Sequence, residues 1–193
     1  STIDIGKEGS KHKWELSAFY SYRYLDATLN DSGQVKTIVK SGYHRTVSEM
    51  QKKYNTAEAN TGAHISYDYG SWHAGMTGTY DWFNRDLSPM TTTPFRRYSP
   101  RGNAFWNLSV DYGYISSAFT LSGETATGDC GAIATLNVIQ AKVSNDLTLT
   151  GVQRFYSYRY YALHANAFSD GGAVQNESGM YLGAQWRAGR HLV

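Results

Sequence analysis

The residues of this 193-residue sequence that could perform chemistry include six histidines, 16 acidic residues and one cysteine. His164, Asn166 and Ser169 stand close together and are the residue types of a serine–histidine–asparagine triad for ester hydrolysis. Because such a triad is assembled by three-dimensional geometry, sequence order alone does not exclude it. No nucleophile motif surrounds the serine, and we predict that the chain is not an enzyme.

Two carboxylates, those of Asp111 and Glu124, are predicted to face the same side of neighbouring strands. Paired carboxylates carry out glycoside hydrolysis, which is the enzymatic interpretation of this pair. The alternative is a polar interior in which charges pair across strands, for instance with Arg154. We favour the polar interior.

The histidines also raise the question of a metal centre. His64 and His73 are predicted to share one face of a hairpin, with Asp68 and Asp81 nearby. A metal site needs about three such ligands that converge on one point, and a polar lining is the simpler interpretation. Cys130 is the only cysteine, which excludes an internal disulfide and a cysteine-based zinc cage. We predict neither a metal nor another cofactor.

The composition limits the class of protein. The formal net charge is +2, from 18 basic and 16 acidic residues, and gives no reason to expect a nucleic-acid partner. Three prolines and 19 glycines argue against a disordered or collagen-like chain. Sixteen tyrosines and five tryptophans are typical of surfaces where an apolar environment meets water. Composition alone leaves open a membrane barrel and a tyrosine-rich soluble β-sandwich.

The elements that would position these side chains are strands, because the dominant hydropathy period is two. From Trp14 to Tyr24 the even-numbered residues are apolar or aromatic, whereas Lys13, Glu15 and Arg23 are among the odd-numbered ones. The run covers about 12 residues, close to the ~9–11 that cross a bilayer as a tilted strand. It therefore predicts a membrane-crossing strand.

The same alternation recurs along the chain and predicts roughly eight to ten antiparallel strands. Residues 63–69 and 72–82 form a predicted hairpin around Gly70 and Ser71. Further strands are expected at about 104–114, 119–124, 131–143, 146–158 and 180–187, with a turn at 144–146.

Two segments interrupt the alternation. A capping box, Thr46 followed by Glu49, predicts a short helix over residues 46–54. The sequence from about 84 to 103 holds all three prolines and predicts a long loop. Its stretch Phe95-Arg96-Arg97-Tyr98, with Arg101, could contact acidic lipopolysaccharide or a polymeric ligand, although we favour a solvated or inward-folded loop.

The residue types of the apolar face distinguish a barrel from a sandwich. Tyr, Trp, Ala and Gly dominate this face, whereas the aliphatic residues that fill a sandwich core are few. Buried tyrosine hydroxyls each need a partner, but at a lipid interface they reach headgroups and water. We therefore predict an all-β fold, an antiparallel transmembrane β-barrel that is a portion of a larger barrel. The predicted lumen-lining residues are Glu15, Arg23, His64, Asp68, His73, Asp81, Asp111, Glu124, Arg154 and Arg187, and the predicted lipid-facing aromatic residues are Trp14, Tyr20, Trp72, Tyr80, Trp82, Trp106 and Trp186.

Short stretches spread over nearly the whole chain carry a family resemblance through their order. They include Ser41-Gly42-Tyr43-His44-Arg45-Thr46, Arg97-Tyr98-Ser99-Pro100-Arg101-Gly102, Asp111-Tyr112-Gly113-Tyr114, Arg154-Phe155-Tyr156-Ser157, and Val174-Gln175-Asn176-Glu177-Ser178-Gly179. The chain resembles large outer-membrane β-barrel proteins of Bacteroidota known as helix-hairpin-helix-domain-containing proteins. The resemblance implies that residues 1–193 are one β-barrel domain or part of one, from the middle of a longer protein. The helix-hairpin-helix residues that grip nucleic acid are absent from this sequence, so no nucleic-acid partner is expected.

These inferences together predict a porin-like protein of the bacterial outer membrane. We expect it to form a conduit wall or a scaffold subunit of an outer-membrane assembly, with no catalysis. Its expected partners are membrane lipid, lipopolysaccharide and other outer-membrane proteins. Two alternatives remain open: a soluble, secreted β-sandwich that binds glycans through its aromatic residues, and an outer-membrane lipid-active enzyme.

Overall fold

The computed structural model describes residues 2–5, 12–90, 97–170 and 173–187. Within these ranges the chain is all-β, as predicted, with ten strands and one short helix. The strands are β1 (Thr2–Ile5), β2 (His12–Leu29), β3 (Val35–Val39), β4 (Thr56–Tyr69), β5 (Trp72–Leu87), β6 (Gly102–Ile115), β7 (Phe119–Gly128), β8 (Ile133–Lys142), β9 (Leu147–Tyr156) and β10 (Glu177–Trp186); the helix is α1 (Val47–Met50).

All ten strands belong to a single sheet. From β4 to β10 each strand pairs antiparallel with the next one along the chain. Strand β2 pairs with β4 over the range from His12 to Leu25, and β1 pairs with β2. Strand β3 pairs with the last residues of β2 and makes one parallel contact, Val35 with Leu87 of β5. Sequence order and spatial order therefore nearly coincide, which keeps the connections local.

Several strands are longer than is usual in a soluble sheet. Strands β2, β4, β5 and β6 have 18, 14, 16 and 14 residues, against about five or six in an average soluble strand. The predicted hairpin is confirmed: Tyr69 of β4 pairs with Trp72 of β5. Gly70, in the turn between them, has a φ of 59°, a left-handed conformation that glycine adopts without strain.

The connections differ in length between the two ends of the sheet. At one end the strands are joined by residues 70–71, 116–118 and 143–146, and we call this the short-turn end. The three longest connections, residues 40–55, 88–101 and 157–176, all leave from the opposite end, the long-connection end. The sheet is thus asymmetric along its strand direction.

The predicted helix is present but shorter than expected. The capping box is confirmed: the Thr46 side chain accepts a hydrogen bond from the Glu49 backbone N–H, and Glu49 accepts one from the Thr46 backbone N–H. The helix ends at Met50, and residues 51–54 form turns up to Tyr54, whose φ of 49° is incompatible with a continued helix. None of the helices in the described residues is long and apolar enough to cross a membrane.

The predicted loop over about 84–103 begins later than expected, because β5 continues to Leu87. Asn84 Oδ1 accepts a hydrogen bond from the Ala57 backbone N–H at 2.9 Å, and Arg85 donates to the Asn55 and Gly33 carbonyls at 2.9 and 3.0 Å. These contacts with distant parts of the chain hold the strand extended. Of the basic stretch in this connection, Arg97 and Arg101 are described, whereas Phe95 and Arg96 lie outside the described residues.

Two small apolar clusters lie near the long-connection end of the sheet. One is built on Phe83 and Phe105, which are 0% and 1% exposed, with Ala27, Val35 and Leu87. The other is built on Tyr156 and Tyr160, with Ala132 and Ala134. Tyr161 and Leu163 pack on the first cluster, and Ala162 and Ala167 pack on the second. Residues 157–170, hereafter the cover segment, therefore fold back over one face of the sheet.

Candidate functional site

The register of the sheet separates two faces across all the long strands. The pairs Trp14–Tyr67, Tyr69–Trp72 and Tyr80–Trp106 place aromatic residues of neighbouring strands on one side. We call this side the aromatic face. All seven aromatic residues singled out from the sequence lie on it, between 41% and 71% exposed: Trp14, Tyr20, Trp72, Tyr80, Trp82, Trp106 and Trp186.

The opposite side, hereafter the polar face, carries the ionisable residues singled out from the sequence. Nine of them lie on it by strand register: Glu15, Arg23, His64, Asp68, His73, Asp81, Asp111, Glu124 and Arg154. Arg187 follows β10, has an exposed side chain, and donates its backbone N–H to the Asp146 carbonyl at 2.8 Å. The structure gathers most of the nine into two clusters at different heights along the strands.

The first cluster lies at the short-turn end and is centred on His73. Its Nδ1 is 2.7 Å from Asp68 Oδ1, and its Nε2 is 2.8 Å from Asp111 Oδ2. His64 Nδ1 is 2.8 Å from the Thr77 hydroxyl and 4.0 Å from Asp111 Oδ1. Each ring nitrogen of His73 therefore contacts a different carboxylate, which fixes the orientation of its ring.

A cavity of about 550 Å³ opens beside this first cluster. Asp68, His73, Asp111 and Glu124 contribute to its lining. Asp111 and Glu124 are directly opposite each other on β6 and β7, as the sequence predicted. Because like charges placed opposite each other on a sheet repel, such a lining favours a cation over an anion.

Gly75 provides the space for the Asp111 carboxylate. A Cβ at this position would lie 2.6 and 2.7 Å from the two Asp111 carboxylate oxygens. We expect Gly75→Ala to lower the free energy of unfolding by about 1–3 kcal/mol through overpacking, measured by chemical denaturation. Gly78→Ala on the same strand is the matched control: its Cβ would meet only Leu108 Cδ1, at 3.9 Å, so no loss is expected. Equal losses of unfolding free energy in the two variants would contradict the role of Gly75 in making space for Asp111.

The second cluster lies towards the long-connection end and contains Glu58, Asp81 and His164. The His164 Nε2 atom is 2.8 Å from Glu58 Oε1 and 3.2 Å from Asp81 Oδ1. Glu58 also accepts a hydrogen bond from Arg23 Nε, and Asp81 accepts one from Asn60 Nδ2. The Glu58 and Asp81 side chains are 2% and 3% exposed, whereas that of His164 is 42% exposed. The hydrogen bonds from His164 to Asp81 and Glu58 raise the pKa of its imidazole to about 9.

The structure corrects two pairings that the sequence suggested. Asp81 was expected near His64 and His73, but eight residues of strand separate it from His73, or about 26 Å. It joins His164 instead. Arg154 was expected to neutralise the Asp111–Glu124 pair, but it forms ion pairs of 2.5 Å with Asp170 and Glu177. The reason is the register: Leu136 of β8 stands between Glu124 and Arg154.

Two of the residues in the second cluster were not anticipated. Glu58 has the same parity as His64 and Asp68 on β4, so extending the alternation upstream to Thr56 would have found it. His164 stands in the cover segment, which has no hydropathy period, and was considered only as part of a triad with Asn166 and Ser169. Among the described hydrogen bonds none joins His164 to either of those two residues, and its Nε2 faces carboxylates.

Comparison of the chain with protein-family models, with curated proteins and with solved structures finds no match.

Proposed function

We propose that this chain forms part of the wall of a β-barrel in a bacterial outer membrane and lines a conduit there, without catalysing a reaction. The observation that carries the proposal is the separation of the two faces. One is aromatic and aliphatic and largely exposed, whereas the other carries, on β2 and β4–β6, carboxylates that pair with histidine or arginine side chains.

The aromatic face needs a covering medium, because contiguous apolar surface of this extent is costly in water. Tyr20, Trp72 and Trp186 are 71%, 62% and 68% exposed. All described strands belong to one sheet, so within the described residues no second sheet stacks on this face, as a β-sandwich would require. Hydrocarbon is the medium that fits, and on this proposal the aromatic rings near the strand ends lie at the two membrane interfaces.

The polar face fits a wet interior. Its carboxylates are paired with histidine, arginine or lysine side chains, or line cavities. Ion pairs of this kind are tolerated where water remains within reach, and they would be costly against lipid. The polar face therefore corresponds to the lumen.

The asymmetry of the connections also supports an outer-membrane barrel. Such barrels have short turns on the periplasmic side and longer loops outside the cell. The short-turn end of this sheet would then face the periplasm, and the three longest connections would face outwards. The cover segment, which folds onto the polar face, would narrow the lumen near its outer mouth. The family resemblance to Bacteroidota barrel proteins is part of the same proposal.

A conductance experiment tests the proposal. We expect the protein that carries this wall, with its barrel complete, to insert from detergent into planar lipid bilayers and to conduct ions, with cations preferred because of the acidic cavity. Two unit charges 4 Å apart interact by about 1 kcal/mol in water. Removing the Asp68 charge in Asp68→Asn should therefore lower the ratio of cation to anion permeability by up to about fivefold. The measurement is the reversal potential in a salt gradient.

The matched control for Asp68→Asn is Asp31→Asn, in the connection between β2 and β3, which should leave the ratio unchanged. Extraction of the protein from cells without detergent, or an absence of any conductance after verified insertion, would overturn the conduit assignment.

A further inference from the structure

Three potential ligand atoms converge at one point between the cover segment and strands β4 and β5. They are Glu58 Oε1, Asp81 Oδ1 and His164 Nε2, and all lie within 4.8 Å of one another. We propose that these residues bind a divalent transition cation of the Zn²⁺ type, which fastens the cover segment to the sheet.

The distances between these atoms are close to the distances between the ligand atoms of a bound zinc ion. Zinc takes nitrogen and carboxylate ligands at about 2.0–2.2 Å, so tetrahedral ligand atoms stand about 3.4 Å apart. The His164 Nε2 atom is 2.8 Å from Glu58 Oε1 and 3.2 Å from Asp81 Oδ1. Small side-chain movements therefore make room for the ion, and water from the adjoining cavities completes its coordination.

The surroundings hold the two carboxylates in place for this role. Arg23 Nε donates to Oε2 of Glu58, which leaves Oε1 directed at His164. Asn60 Nδ2 donates to Oδ1 of Asp81, the same oxygen that faces His164. Neighbours that orient ligands in this way are typical of metal centres.

The site is also accessible from solution. The His164 side chain is 42% exposed and borders two cavities, one of about 200 Å³ beside Asp81 and one of about 600 Å³ beside Glu58. When the cation binds, it takes the place of the hydrogen on His164 Nε2; this proton goes to solvent and Nδ1 keeps its own hydrogen. One imidazole with two carboxylates suits zinc-like ions, whereas Ca²⁺ requires six to eight oxygen ligands.

The chain contains a natural control in His73. This residue also contacts two carboxylates, but it does so through different nitrogens, Nδ1 with Asp68 and Nε2 with Asp111. Because the two nitrogens point away from each other across the ring, these contacts do not converge on one point. We therefore expect that His73 does not contribute to binding of the cation.

Calorimetric titration of EDTA-treated protein with ZnCl₂ tests the site, and the result does not depend on the membrane assignment. We expect one Zn²⁺ per chain, at least a tenfold loss of affinity in His164→Ala, and unchanged affinity in His73→Ala. Zn²⁺ should also slow proteolytic cleavage within the cover segment of the unmodified protein but not of His164→Ala. His164→Gln, which keeps a polar side chain of similar length, serves if the alanine variant fails to fold. No saturable binding to the unmodified protein, or binding that both His164 variants retain, would overturn the proposal.

Discussion

Replacing Leu108 by lysine is expected to lower the free energy of unfolding in a phospholipid bilayer by about 2–4 kcal/mol. Leu108 lies on the aromatic face, on β6 between the ring pairs Tyr80–Trp106 and Trp72–Tyr114. On the proposed membrane arrangement, the stretch between the two ring pairs lies in the hydrocarbon core, where a lysine facing lipid is costly. Ala74→Lys should have a similar cost, because Ala74 is two residues from Trp72 just as Leu108 is two residues from Trp106. The measurement is reversible denaturation of the protein folded into vesicles.

Thr79→Lys is the matched control for the Leu108 variant. Thr79 pairs with Asn107, the neighbour of Leu108, and lies on the polar face beside a cavity. A lysine there reaches water and lies near the Asp81 carboxylate. We therefore expect the free energy of unfolding to fall much less than in Leu108→Lys. If the two variants are destabilised equally, the assignment of the faces is wrong.

Phe105→Ala should lower the free energy of unfolding by about 3–5 kcal/mol, the range for a large aromatic residue removed from a packed core. Phe105 is 1% exposed, and its ring centroid is 6.1 Å from those of both Phe83 and Tyr161. The substitution therefore leaves a cavity between the sheet and the cover segment. The loss is measured by denaturation, and faster cleavage of the cover segment should accompany it.

Phe19→Ala is the comparison for Phe105→Ala. Phe19 is on the same polar face but is 50% exposed, and its ring lies over Gly62. Its removal takes away a partly hydrated contact, so the loss should be clearly smaller. Equal losses would mean that the cover segment does not pack as the structure describes.

The sequence predicted the faces of the sheet more completely than the contacts within them. An alternation of period two fixes which side of a strand each residue takes, so the hairpin of β4 and β5 and the side on which Trp72 and His73 lie followed directly. Capping chemistry is equally local, and the box of Thr46 and Glu49 was found from spacing alone.

Contacts set by register or by tertiary folding could not be predicted in the same way. The partner of Arg154 depends on which residues of β8 and β10 lie beside it, and no local pattern encodes that register. The cover segment has no period, so its return to Phe83 and Phe105 was not anticipated. The extension of β5 to Leu87 likewise depends on hydrogen bonds of Asn84 and Arg85 with distant parts of the chain, which no local pattern predicts.

The accessibility of spin labels along β5 tests the central claim most directly. With Cys130 replaced by serine, single labels would be placed at Ala74 and Met76 on the aromatic face and at Thr77 and Thr79 on the polar face. In lipid vesicles the labels at 74 and 76 should be relaxed most by oxygen, which concentrates in hydrocarbon, and those at 77 and 79 by a water-soluble nickel chelate. Nickel relaxation that is equal at all four positions, or stronger at 74 and 76, would contradict a sheet with one face in lipid and the other in water.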